Sequence, residues 1–129
     1  MIRMRGRLLL FDTLDKAGFL FPKDCELTYP EKVPVVMYFK FNDPTKIIGH
    51  AIVSKDEKGL ICNIELDNFD RDILQHEFND ELYIGGYYRN TKRDIKDGVV
   101  VIKKATLIGI STVFAPAHEE MKIRVVEEE

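Results

Sequence analysis

The histidines, thiols and serines of this 129-residue chain, the first candidates for proton shuttling or nucleophilic attack, are few: His50, His76 and His118, Cys25 and Cys62, Ser54 and Ser111. No pair of histidines has the HxxxH spacing that places two imidazoles on one metal ion. No metal centre and no cofactor are therefore expected. Ser111 lies in Gly109-Ile110-Ser111-Thr112-Val113, which lacks the GxSxG turn that exposes a nucleophile. A serine also needs a positioned base at neutral pH, and His50 is the candidate. The simpler expectation is that Ser111 packs inside a strand, that Ser54 opens a turn, and that the histidines are structural or exposed. Cys25 stands between Asp24 and Glu26, whose charges oppose thiolate formation. Gly85-Gly86 has neither G-x-G-x-x-G nor GK[ST] context, so no phosphate loop is expected. Arg3, Arg5 and Arg7 alternate along one strand face, as a contact for an acidic partner or as a charged edge that resists aggregation.

The elements that must position these residues have a period of two rather than 3.6. Arg7–Phe11 reads as a strand, Asp12–Gly18 as a turn, and Val33–Phe41 as a strand with Pro34 at its start or on an edge. Asn42-Asp43-Pro44 stops it. Ile47–Val53 and Leu60–Leu66 flank a polar turn ending in Gly59, a hairpin signal. In its second arm Leu60, Cys62, Ile64 and Leu66 share one face, which assigns Cys62 to the core. Residues 68–78 form the helix candidate, capped by Asp67 or Asn68, with Phe69, Ile73 and His76 on one face. Glu81–Tyr88 reads as a strand interrupted by Gly85-Gly86, Asn90–Gly98 as a polar loop, and Val99–Lys103 and Ala105–Phe114 as strands. Pro116 breaks the last of these, and Lys122–Val126 is a final strand.

These spacings predict an α+β, mostly-β fold: an antiparallel β-barrel of about seven or eight short strands with one or two helices. A single domain over residues 1–126 is followed by a short, solvated acidic tail, residues 127–129. Two cysteines are too few for a disulfide framework. A net charge of −3 argues against a dedicated nucleic-acid binder, which needs clustered cations against phosphate. No apolar run approaches the ~20 residues of a membrane helix, and no signal-peptide pattern opens the chain. A location inside a cell, or in an assembled particle, is expected.

Four segments, in order, resemble the prohead (capsid maturation) proteases of tailed phages, a family similar in fold to the herpesvirus assemblin proteases. Gly6–Pro22 resembles the opening strand and turn, with its "G…D…D…G.I..P" pattern. Residues 42–66 resemble the "HD…P-I-G…D..GL" hairpin. Ile84–Tyr87 falls where the family carries "SFGF", and Leu107–Ala117 resembles the closing "L.E.S.V..PA" strand. Together they span well over half the chain. The resemblance places Asn42 at the position of the catalytic histidine and Ile84 at that of the nucleophilic serine. Asparagine cannot act as a base near neutral pH, and isoleucine has no nucleophilic atom. Ser111 matches a serine of the closing strand.

The resemblance thus implies a protease-like barrel without a protease site. The expected role is a non-catalytic virion or capsid-assembly protein of a tailed phage or prophage. It would bind the major capsid protein or other head proteins, in the capsid or, during assembly, in the host cytoplasm. It could also pair with further copies of itself. One alternative is an active serine protease whose site has moved to Ser111 and His50, which requires hydrogen-bond reach between them. Another is a host-side regulatory binding module.

Overall fold

A computed structural model describes residues 1–38, 43 and 46–128, the last two as backbone. Among these described residues nine strands and one helix follow in chain order: β1 (Ile2–Leu10), β2 (Phe19–Leu20), β3 (Glu26–Thr28), β4 (Val33–Met37), β5 (Ile47–Lys55), β6 (Gly59–Leu66), α1 (Arg71–Phe78), β7 (Glu81–Lys96), β8 (Val99–Thr112) and β9 (Lys122–Glu128). The fold is the expected mostly-β barrel. Seven strands close it in the order β8-β4-β5-β6-β1-β9-β7, with β7 returning to β8. The barrel is mixed and not, as the sequence reading has it, antiparallel throughout. β4 runs parallel to β8 from Val35↔Ile110 to Met37↔Thr112, and β2 and β3 add parallel pairings farther up the same edge of β8. Pro34 lies at the start of β4, opposite His50 on β5 and just before the pairing with β8 begins.

Period-two alternation sends one set of side chains inward. Met4, Val33, Leu60, Ile64, Leu66, Ile84, Leu107, Ile110 and Ile123 are almost fully buried and make one continuous core. Cys62 belongs to it, as the β6 alternation requires. The β5–β6 hairpin forms in the expected place, from Gly49↔Leu66 to Lys55↔Leu60. Its turn is held by Asp56, whose Oδ1 accepts from the backbone N–H groups of Lys58 and Gly59, both at 2.9 Å.

Several elements depart from the sequence reading. β1 starts at Ile2 rather than Arg7, because its N-terminal half is paired on both sides, by β6 and β9. The acidic end is partly strand: Glu127 and Glu128 pair with Arg3 and Ile2. The helix begins at Arg71. Asp70 caps it, its Oδ1 accepting from Asp72 N (2.8 Å) and Ile73 N (3.3 Å), while Asp67 and Asn68 donate their N–H groups to Ile48 O. Its buried side chain is Leu74, whereas Ile73 and His76 are exposed. The largest departure is the segment 90–98. Residues 90–96 are strand and 97–98 their turn, so that β7 and β8 form one long hairpin in place of a loop and two short strands. Asp97 and Gly98 turn it, both with positive φ (51° and 80°), the backbone of a type I′ turn. Beyond Tyr88 the β7 half of this hairpin is an exposed arm, residues 89–98 being exposed throughout, while the β8 half stays on the core through Ile102 and Ala105 and pairs with β2 and β3. Among the described residues no helix is long and apolar enough to cross a membrane.

Candidate functional site

The positions singled out by the sequence do not converge. Ile84 is fully buried in the core, its N–H bonded to Met121 O at 3.0 Å. Asn42 lies outside the described residues. Ser111 is also fully buried, between Gly85 on β7 and Val36 on β4, and its hydroxyl donates to Thr112 O at 2.9 Å. His50 is exposed on β5, opposite Pro34 on β4 and Glu65 on β6. The registers separate Ser111 from His50 by two strands and two rungs, roughly 12 Å between Cα atoms. That exceeds the reach of a serine–histidine hydrogen bond, so this structure contains no Ser111–His50 dyad.

The other candidates have structural employment. His118 Nδ1 accepts from Glu120 N at 3.1 Å in the turn before β9. Cys25 is buried, and desolvation followed by the Asp24 charge raises its pKa. Cys62 is pushed up to about 12, chiefly by burial. Neither is a poised thiolate. Arg3, Arg5 and Arg7 do share the outer face of β1, but they are not equivalent. Arg7 makes a two-point ion pair with Asp56, at 2.8 and 2.9 Å. Arg3 lies 3.8 Å from Glu65, and Arg5 is exposed beside Asn63 and Arg124. Among the described residues no group of three or more His, Cys, Asp or Glu side chains could hold a metal ion.

Two cavities are better formed than any catalytic cluster. The first, of about 360 Å³, lies at the foot of the β7–β8 hairpin, between α1 and the ends of β4 and β8. Aromatic side chains dominate its wall. Tyr38 and Phe114 stack at 4.6 Å with their rings 15° apart, and both are exposed, Phe114 to 75%. Phe69 and Phe78 meet edge to face at 6.4 Å. Glu77, Glu81 and Lys122 supply its charges. Glu81 is paired with Arg124 (2.7 Å) and Lys122 (3.5 Å), so with the Glu77 carboxylate these four charges balance.

The second cavity, of about 650 Å³, is lined by Phe19, Phe21, Gly86, Tyr88, Pro116 and Met121, among others. Gly86 points inward with no side chain, and the Tyr88 ring covers it. A Cβ at position 86 would stand 2.6–2.7 Å from the ring and its hydroxyl. Tyr88 also packs against Phe21, with centroids 5.0 Å apart. Its hydroxyl is buried and has no hydrogen-bond partner among the described residues, and burial raises its pKa strongly.

Comparison with protein-family models, with curated proteins and with solved structures finds no match. Function must therefore be argued from this geometry and from the sequence. Both the aromatic cavity and the arm escaped the sequence reading. The cavity is built from residues 37–38, 69, 77–79, 81–83, 112–114 and 122, which only the fold brings together. The arm had a local signal, Asp97-Gly98, which is the sequence of a two-residue hairpin turn.

Proposed function

We infer that this chain is a non-catalytic binding subunit, and that its setting is the head of a tailed phage or prophage. One observation carries the first half: the side chain at the position matching the family's nucleophile, Ile84, is a fully buried core residue. A side chain sealed in the core cannot attack a substrate, and its hydrophobic burial stabilises the barrel instead. The separation of Ser111 from His50 supports the same reading. The second half rests on the order of the four matched segments in the sequence. Recognition would use the outer surface: the β7–β8 arm, the aromatic cavity and the outer face of β1. Many copies docking on a symmetric shell gain from avidity, so each contact can be weak.

A quantitative protein census of purified mature particles tests this. The expected result is intact chain at a copy number comparable to the major capsid protein. Absence from mature particles, or presence only in immature heads alongside trimmed capsid protein, overturns the reading.

A further inference from the structure

The charge of this molecule is divided between two places along one hairpin. The arm and its return strand, residues 89–104, carry six Lys or Arg against two Asp, a net +4. The rest of the chain is left with −7 of the overall −3. Residues 65–81, which include α1, hold seven Asp or Glu against one Arg. The aromatic cavity opens beside this acidic segment, at the base of β7, and the basic tip is at the other end of the same strand. β7 has sixteen residues, so base and tip lie roughly 50 Å apart along the strand. β8 runs back beside it over almost its whole length, so the hairpin cannot fold its tip onto its own base.

The tip also carries an apolar anchor. Ile95 is 69% exposed; Asp94 and Lys96 flank it in the chain, and Arg93 stands two residues before it. An isolated exposed isoleucine is ordinary. An isoleucine among cations, on a chain that also presents an aromatic cavity beside acidic side chains, is one half of a complementary pair. Apolar anchors in pockets supply most of the affinity at an interface, and the charges around them supply rate and register.

We propose that the β7–β8 arm of one copy docks in the aromatic cavity of a second copy, with Ile95 entering between Tyr38, Phe114 and Phe78 and the arm's cations facing Glu77 and the exposed acids of α1. The contact is head-to-tail. Such an interface does not stop at two copies unless a ring closes. This inference does not depend on the phage-head reading, because it concerns the purified chain alone.

Sedimentation velocity of the full chain, in low and high salt, tests it. The expected result is concentration-dependent association extending beyond a dimer, weakened by salt because exposed charges are screened. Ile95→Ala should weaken it about tenfold or more, the effect of removing a buried aliphatic group. A triple reversal of the arm, Lys92→Glu/Arg93→Glu/Lys96→Glu, should be monomeric. So should a double reversal of the helix, Asp72→Lys/Glu77→Lys. All five of these residues are exposed, and circular dichroism checks that each variant is folded. Mixing the two reversed proteins should restore association, since each then offers the other a complementary partner. The proposal is overturned if the chain is monomeric throughout, or if the arm variants associate as the parent does. It is equally overturned if the mixture fails to associate, or if the parent binds duplex DNA through the arm without self-association.

Discussion

The guanidinium of Arg7 grips the carboxylate of Asp56 at two points, 2.8 and 2.9 Å, across 49 residues of sequence. The same carboxylate accepts two backbone N–H groups of the β5–β6 turn. One cation of the N-terminal row is thereby a clamp between β1 and a hairpin tip, and is not available to a partner. The hydrogen bonds from Arg7, followed in weight by those from Lys58 and Gly59, hold the Asp56 pKa well below the usual carboxylate range. A depressed carboxylate stabilises the folded state fully above its unfolded pKa of about 4 and loses that contribution as pH falls toward its folded value. Acid unfolding of Asp56→Asn should therefore be less steep below about pH 4 than that of the parent, while its stability at pH 7 is lower. An NMR titration of the Asp56 carboxyl that gave an ordinary midpoint would contradict this.

Ser111 should be inert. A fluorophosphonate probe that labels activated serines is expected to leave the native chain unmodified, because Ser111 is buried and the registers keep His50 from reaching it. Mass spectrometry of the treated protein reads the result. Labelling at Ser111, abolished by His50→Ala, would restore the protease reading.

Both thiols should be slow. Cys62 has a pKa of about 12 and that of Cys25 is raised, so neither supplies much thiolate at pH 8. A disulfide reagent should react with both only as fast as the barrel opens, and promptly in denaturant. A native-state rate independent of added denaturant would show that one thiol is accessible.

Gly86 and Tyr88 predict opposite signs for two small changes. Gly86→Ala puts a methyl group into the Tyr88 ring and should cost about 1–3 kcal/mol, the usual penalty of overpacking. Tyr88→Phe removes a buried hydroxyl that has no partner among the described residues and should stabilise by about 1 kcal/mol. Denaturant unfolding of the two variants gives both numbers, and a destabilised Tyr88→Phe would reveal a partner for the hydroxyl.

What the sequence determined by itself was local. Alternation along residues 47–66 specified the β5–β6 hairpin and the burial of Cys62, because a strand of period two has only one apolar face to bury. The mostly-β class followed from the same pattern repeated. The outer half of β7 was legible in principle from Asp97-Gly98, but its polar, charged residues have no face to bury, and hydrophobic periodicity cannot report a strand that stands in solvent. Only the tertiary structure decided the rest. The parallel pairings of β2, β3 and β4 with β8 join residues 75 to 81 positions apart, which no local pattern encodes. The buried face of α1 is set by where Leu74 meets the barrel, so Ile73 and His76 turn outward despite their favourable spacing. Distance between side chains was likewise invisible. Ser111 and His50 are a plausible pair by residue type and an impossible one by register, because chemistry needs atoms in contact and contact is a property of the closed barrel.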